Sequence, residues 1–156
     1  MAAAIAARPS LGAEQRSMVE RLCLDGGPVS VVIGRAGAGK TFTLDAAHEA
    51  FQASGHRVIG VSLAARAARE LEAGSGITSS TAHSFHAAIG SGRLRLRDGD
   101  ALVIDEAGML GTRMLASLAE EAHRAKAKVV LVGAIRSSSR RSRRVDCSQA
   151  SGSELP

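Results

Sequence analysis

The stretch Gly34-Arg35-Ala36-Gly37-Ala38-Gly39-Lys40-Thr41 decides the fold, because it satisfies every required position of the phosphate-binding pattern G-x-x-x-x-G-K-[ST]. An apolar run at 29–33 predicts a buried strand before it, and residues 41–53 predict a helix after it. Glycines in such a turn let successive N–H groups point at phosphate oxygens, and the helix N-terminus adds partial positive charge. Lys40 is expected to reach the β- and γ-phosphates, and Thr41 to offer its hydroxyl to Mg²⁺. The alternative is a strand-to-helix turn that binds nothing.

Length and composition place this motif in one domain. The chain has 156 residues and 45% apolar content, enough to bury one core. Its only aromatic residues are three phenylalanines, so no stacking platform for bases is visible. Cys23 and Cys147 show no metal-ligand spacing, which indicates a reduced, intracellular chain. The apolar start at 1–7 fits neither a signal peptide nor a membrane span, so we expect a cytoplasmic protein with no membrane partner.

The net charge of +5 is concentrated near the end of the chain. Residues 1–134 carry 15 basic and 13 acidic side chains, so that part is nearly neutral. The Ser/Arg-rich segment 134–156 shows no apolar periodicity, and we expect it to be a disordered tail. An alternative is that its arginines bind nucleic acid. The predicted layout is an N-terminal extension at 1–9, a nucleotide-binding domain at 10–133 and this tail.

Apolar runs and amphipathic segments alternate along the chain, which predicts an α/β fold: a parallel sheet flanked by helices. The predicted strands are 29–34, 57–62, 101–105 and 128–133. The predicted helices are 11–24, 39–53, 64–73, 80–90 and 112–126. Glycine clusters, including 74–76 and 90–92, separate these elements as turns do.

A second chemical feature is the apolar strand Leu102-Val103-Ile104 that ends in Asp105-Glu106. Ligands of open α/β sheets bind at the carboxyl ends of the strands, where these acids would lie. Asp105 is expected to hold Mg²⁺, and Glu106 to orient or deprotonate the attacking water. The alternative is a strand that ends in a solvated acidic turn.

Together these motifs resemble the N-terminal RecA-like domain of superfamily 1 DNA helicases. The most similar group is the RecD-like helicases, particularly the helicase part of conjugative relaxases of the TraA/MobF kind. The resemblance covers about residues 10–133 and implies a P-loop, AAA-type ATPase fold that uses ATP and Mg²⁺. It implies catalytic roles for Lys40, Asp105 and Glu106, with Thr41 and Asp105 on the metal. It implies nucleotide contacts from Gln15, Gly34, Arg35, Ala36, Gly37, Ala38, Gly39, Lys40, Thr41 and Phe42, where Gln15 resembles the adenine-reading glutamine of the Q motif.

The segment that follows the second strand resembles motif Ia, which contacts single-stranded DNA in this family. Ser62, Arg66, Thr81 and His83 are the residues expected to contact DNA phosphates, a role common for hydroxyl and basic side chains. The alternative is that the arginines form a solvated helix face and that His83 is an ordinary polar residue. A metal site at His83 and His86 is not expected, because no cysteine or carboxylate stands at ligand spacing.

After Gly133 the chain departs from the family. Where motif III should read Asp-x-x-Gln-Leu-Pro, this chain has Ala134-Ile135-Arg136-Ser137. GC-rich codons for 134–141, read one frame over, restore Asp-Pro-Gln-Gln-Leu-Pro-Glu, so we hypothesise a frameshift after Gly133. Sequencing the DNA across codon 133 tests this hypothesis.

The resemblance leads us to expect a truncated helicase that binds Mg-ATP as a monomer, with weak or no ATPase activity, weak or absent binding of single-stranded DNA, and no unwinding. Two other classes stay open. A nucleoside kinase of the thymidine-kinase type also pairs a phosphate loop with Asp-Glu-Ala, although it usually carries a four-cysteine zinc element. The third class is a nonfunctional truncated product, which an unpaired sheet edge would favour.

Overall fold

In the computed structural model, residues 9–34 and 39–134 are described, and they form a five-stranded parallel sheet flanked by helices. The helices are α1 (Ala13–Leu24), α2 (Lys40–Ala53), α3 (Ala65–Ser75), α4 (Ala82–Gly90) and α5 (Thr112–Ala125), with a 3-10 turn at Ala107–Met109. The strands are β1 (Val29–Gly34), β2 (Val58–Ser62), β3 (Ser79–Thr81), β4 (Ala101–Ile104) and β5 (Lys128–Ala134). The predicted α/β class with a parallel sheet is confirmed.

The strand order is β1-β5-β4-β2-β3, so β5 lies between the strand that precedes the phosphate loop and the strand that precedes Asp105. Val29 pairs with Val129, and Leu102 also pairs with Val129 from the other side. Because all pairs are parallel, the carboxyl ends of the strands meet at one edge of the sheet. The loop after β1 and the acids after β4 therefore lie at the same edge.

Two apolar layers cover the two faces of this sheet. One layer joins α1, α2 and α3 to the strands through buried residues that include Leu22, Leu44, Leu71, Val103 and Val130. The other joins α4 and α5 to the opposite face through buried residues that include Phe85, Leu118, Val61, Leu102 and Val129. Fully buried residues of this kind each contribute about 1.5–3 kcal/mol. The sheet that positions the site is therefore held from both sides.

One face of β1 is not covered by either of these layers. Val29, Val31 and Ile33 are 49%, 60% and 58% exposed, and they share one face of the strand. Their β5 neighbours in the ladder are Val129, Leu131 and Gly133. Within the two described ranges, β1 is an edge strand whose ladder partner is β5.

Residues 79–81 correct the sequence prediction. We predicted a helix from 80 to 90, but Ser79–Thr81 forms a short edge strand that pairs with Gly60–Ser62 of β2. Its Ser-Ser-Thr sequence lacks the apolar run that predicts strands. Thr81 ends the strand and caps α4, because its Oγ1 accepts a hydrogen bond of 3.1 Å from the Ser84 N–H. Ala134, which we placed at the start of the predicted tail 134–156, is the last residue of β5 and pairs with Gly34. Residues 135–156 of that tail, with the frameshift hypothesis, lie outside the described residues.

At the amino-terminal end of the sheet, an ion pair between the partly exposed Arg57 and the buried Asp100 joins the residues that precede β2 and β4. Arg57 donates from Nε to Asp100 Oδ1 at 3.1 Å and from Nη2 to Asp100 Oδ2 at 2.5 Å. Arg57 also donates to the Arg95 carbonyl, and the Arg97 N–H donates to Asp100 at 2.8 Å. These bonds hold the 91–99 loop against the first residues of both strands.

Candidate nucleotide site at the carboxyl edge of the sheet

The N-terminus of α2 points into this edge, since the helix begins at Lys40 immediately after the phosphate loop. Gly39 has φ of 70° and ψ of 24°, a left-handed conformation that glycine adopts without strain. The Gly39 carbonyl accepts from the Thr43 N–H at 3.0 Å and from the buried Thr43 hydroxyl at 3.1 Å. The first turn of α2 is therefore fixed at the carboxyl edge of the sheet, and the N–H groups of a helix N-terminus are groups that can bind phosphate. Residues 35–38 of the predicted loop lie outside the described ranges.

Gln15 lies against the end of the phosphate loop. A side chain on Gly39 would collide with Gln15 Nε2, which shows how close the two residues are. Gln15 Oε1 accepts a hydrogen bond of 2.9 Å from the Gly12 N–H, so the amide is oriented by the start of its own helix. Helix α1 thus places Gln15 beside the predicted nucleotide-binding residues, 24 positions from Gly39 along the chain.

Asp105 and Glu106 follow β4 at the same edge. The Asp105 N–H donates to the Val61 carbonyl at 2.8 Å, which extends the β2–β4 pairing by one residue. Asp105 Oδ1 accepts from the Glu106 N–H at 2.9 Å. Glu106 has φ of 51° and ψ of 39°, a left-handed conformation that is strained for a residue with a side chain. Non-glycine residues in such strained conformations cluster at functional sites.

Burial raises the pKa of Asp105 above its ordinary value, while the Glu106 N–H and the nearby Lys40 charge lower it. The opposing effect of Lys40 shows that the lysine of the phosphate motif and this carboxylate lie within electrostatic reach of each other. The acid after β4 and the lysine after β1 therefore lie near each other at the carboxyl edge of the sheet.

The oxygen atoms at this edge suit a hard divalent cation such as Mg²⁺, which prefers carboxylate and hydroxyl ligands. Asp105 supplies a half-buried carboxylate, and Thr41 supplies an exposed hydroxyl at the start of α2. Ser62, one residue past Val61, is fully buried, and in the described part of the chain its Oγ has no hydrogen-bond partner. A buried hydroxyl without a partner beside the Asp105 backbone is what a bound ion with ordered water would satisfy.

Comparison with known proteins identifies the family of this chain. A family model described as an AAA domain matches residues 10–138. The chain belongs to this AAA domain family.

Curated relatives of this AAA domain are conjugal transfer proteins. A probable conjugal transfer protein TraA of Sinorhizobium fredii is 44% identical over 131 residues, which are 84% of this chain and 12% of that protein. The TraA proteins of Rhizobium radiobacter and Agrobacterium fabrum are 42% and 39% identical, over 79% and 85% of this chain. The chain covers 11% and 12% of their lengths. The resemblance of this chain to TraA-type conjugal transfer proteins, predicted from the sequence, is confirmed.

A solved structure supports the same fold. The helicase domain of Hef from Pyrococcus furiosus matches 80% of this chain and 32% of its own, with a TM-score of 0.57 and 16% identity. At this identity the likeness concerns the fold alone. No helix in the described parts of the AAA domain is long and apolar enough to cross a membrane.

The four residues predicted to contact DNA differ in how accessible their side chains are to a ligand. Arg66 is exposed on α3 and donates from Nε to Glu70 Oε1 at 2.7 Å, and His83 is exposed on α4. Thr81 uses its hydroxyl to cap α4. Ser62 is buried, so this arrangement does not support a phosphate contact from its side chain. Arg66 and His83 remain the accessible pair, and their role in DNA binding stays a prediction.

Gly74 is a residue of the site that sequence reasoning missed. We interpreted the glycines at 74–76 as a turn, but Gly74 lies inside α3 and touches the Thr41 side chain. Only Gly76, which ends α3 with φ of 66°, behaves as a turn glycine. A glycine within a helical run signals close packing, but its partner is 33 positions away in the sequence and could not be inferred.

Proposed function

We propose that this AAA domain binds ATP together with Mg²⁺, and that within a longer TraA-type protein it serves ATP-dependent DNA unwinding. The observation that carries the proposal is geometric: the start of α2, with Lys40 and Thr41, and Asp105 after β4 lie at one edge of the sheet, where Lys40 is near enough to lower the pKa of Asp105. A lysine and a helix N-terminus favour the triphosphate, and the carboxylate and hydroxyl oxygens favour the cation.

Each residue has a defined part in this proposal. Lys40 and the first N–H groups of α2 bind phosphate oxygens, while Thr41 and Asp105 hold the cation directly or through water. Bound Mg²⁺ neutralises phosphate charge. Glu106, whose backbone is held by the adjacent 3-10 turn, orients the attacking water. Gln15, which lies against Gly39, is the residue proposed to read the adenine edge and so to favour ATP over other nucleotides.

Hydrolysis by the chain alone is expected to be slow. P-loop enzymes commonly gain roughly 10³–10⁵-fold in rate from an arginine that another domain or protein supplies to the transition state. Nucleotide binding is therefore the direct test of the proposal, and turnover is a secondary one.

The test is a titration of the purified chain with a fluorescent ATP analogue in the presence of Mg²⁺. Loss of a charged hydrogen bond of about 1.5–3 kcal/mol should weaken binding by roughly 10- to 150-fold in Lys40→Ala. Lys126→Ala is the matched control, because Lys126 is an exposed lysine that precedes β5 at the opposite edge of the sheet. If the unmodified chain binds no nucleotide, or if both variants lose affinity equally, the proposal fails.

A thermal melt with and without Mg-ATP separates this proposal from a nonfunctional product. At a concentration 100 times the dissociation constant, a ligand stabilises the folded state by about 2.7 kcal/mol. For a domain of this size that corresponds to a rise in Tm of roughly 5–10 °C. A nucleoside kinase would instead phosphorylate nucleosides, and the curated relatives, all conjugal transfer proteins, favour the helicase function over that activity.

We also propose that single-stranded DNA passes along the carboxyl edge of the sheet, beside the starts of α3 and α4, which follow the neighbouring parallel strands β2 and β3. Arg66 is 85% exposed there, which leaves its guanidinium open to phosphates despite the pair with Glu70. Arg124 on α5 is the control, because like Arg66 it is an exposed arginine paired with glutamates of its own helix, here Glu120 and Glu121. Anisotropy of a labelled oligonucleotide should show weaker, less salt-dependent binding in Arg66→Ala than in Arg124→Ala. Equal losses in both variants would contradict this placement.

A further inference from the structure

We propose that Gly74 is a positioning residue for the cation site: its missing side chain fixes the Thr41 rotamer and thereby the direction of the Thr41 hydroxyl. This inference rests on the proposed Mg-ATP function. It is carried by a contact between two helices, because a Cβ atom built on Gly74 would overlap Thr41 Cγ2 and lie 3.5 Å from Thr41 Cβ.

The backbone conformation at position 74 does not require glycine. Gly74 lies within α3, which ends at Ser75, and the left-handed residue that follows is Gly76. Glycine inside a helix lowers stability by about 0.5–1 kcal/mol relative to alanine. Glycine is therefore unfavourable for the helix at position 74, and its presence there is explained by the Thr41 methyl group, which occupies the space that a side chain would need.

Neither helix is free to move apart. His48 Nδ1 of α2 lies 3.1 Å from the Ser75 carbonyl, which ties the two helices beside the contact. Ser75 is fully buried and donates from Oγ to the Leu71 carbonyl at 2.6 Å. A methyl group added at Gly74 would therefore be accommodated by rotation of Thr41 rather than by separation of the helices.

That rotation would move the hydroxyl. Threonine in a helix divides between two χ1 rotamers, which are about 120° apart, and Cγ2 and Oγ1 turn together because both are bonded to Cβ. The rotamer that places Cγ2 against Gly74 also fixes the direction of Oγ1. An alanine at position 74 excludes this rotamer and turns the hydroxyl away from the cation site.

The experiment is a double-mutant cycle in the full 156-residue chain, read as the affinity for a fluorescent ATP analogue with and without Mg²⁺. The variants are Gly74→Ala, Thr41→Ser and the double variant. Thr41→Ser removes Cγ2 and keeps the hydroxyl, so it removes the collision. Gly90→Ala is the control, because Gly90 is an exposed glycine at the end of α4 with no atom within 4 Å of an added Cβ.

We expect Gly74→Ala to weaken Mg²⁺-dependent affinity roughly tenfold, a coupling within the range of residues in direct contact, and to leave affinity without Mg²⁺ within about twofold. The double variant should recover the affinity of Thr41→Ser within about twofold, and Gly90→Ala should match the unmodified chain. If Gly74→Ala binds as the unmodified chain does, or if Thr41→Ser fails to rescue it, the inference is wrong although the proposed function stands.

Two further measurements keep the outcomes distinct. If the unmodified chain binds no nucleotide, the proposed function fails, and the Thr41 methyl resonance of the nucleotide-free chain decides the inference. Gly74→Ala should shift that resonance and change its χ1 couplings, whereas an unchanged resonance overturns the inference. If Gly74→Ala does not fold, recovery of folding in the double variant supports the contact, and failure to recover refutes it.

Discussion

Removal of Arg57 tests the ion pair at the amino-terminal end of the sheet. Asp100 is 4% exposed at its side chain, and Arg57 is 38% exposed. In Arg57→Ala, the buried carboxylate keeps the Arg97 N–H but loses both bonds to the guanidinium. Breaking a buried pair commonly lowers stability by 3–5 kcal/mol, and we take about 3 kcal/mol because water reaches the Arg57 side. That loss corresponds to a fall in Tm of roughly 6–12 °C.

The assay is urea unfolding of Arg57→Ala, Asp100→Ala and the double variant, with Arg66→Ala as the control. Arg66 and its partner Glu70 are 85% and 64% exposed, so loss of this surface pair should lower stability by less than about 0.5 kcal/mol. The double variant should be more stable than the sum of the single losses predicts, by at least about 1 kcal/mol, because no unpaired buried charge remains. Additive losses, or an Arg57→Ala loss no larger than that of Arg66→Ala, would refute the reasoning.

Two predictions concern the acids that follow β4: Asp105, which is half-buried, and Glu106, whose backbone is strained. Burial raises the pKa of Asp105, because the charged carboxylate is less stable in the folded protein than in water. Asp105→Asn should therefore raise Tm at pH 7. This gain should disappear as the pH falls through the pKa of folded Asp105 towards the ordinary value of 3.8. Melts between pH 4 and 8 beside the exposed control Asp98→Asn measure it, and a gain independent of pH would contradict the cause. Glu106→Gly should relieve a left-handed backbone and raise stability by about 0.5–1 kcal/mol, as should Lys126→Gly at the C-cap of α5. A lower Tm in either variant counts against backbone strain.

Much of the fold was predictable from periodicity, because the long helices and the apolar strands carry strong local signals. The bounds of α2 and β1 differ from the prediction by at most one residue. The strand β3 was missed because Ser79–Thr81 is a strand only through its pairing with β2. The position of β5 between β1 and β4 could not be deduced either, since the order of strands in a sheet is a long-range property.

The residues of the candidate site could be named from the sequence where one short motif contains them. Lys40 and Thr41 follow from the phosphate pattern, and Asp105 follows from an apolar strand that ends in acids. Contacts between distant segments were not predictable. The burial of Ser62 and the contact of Gly74 with Thr41 both depend on how α3 packs against the sheet and α2.

The edge position of β1 has a consequence for hydrogen exchange. In a parallel pair, alternate residues of a strand bond to its neighbour, and the Val129 N–H donates to the Pro28 carbonyl. The amides of Ser30 and Val32 therefore face β5, whereas those of Val29, Val31 and Ile33 face the outer edge. Exchange along β1 should alternate between slow and fast. The segment that we propose to bind a nucleotide thus follows a strand whose amides are protected on one side only, and local opening of that strand would weaken the proposed binding.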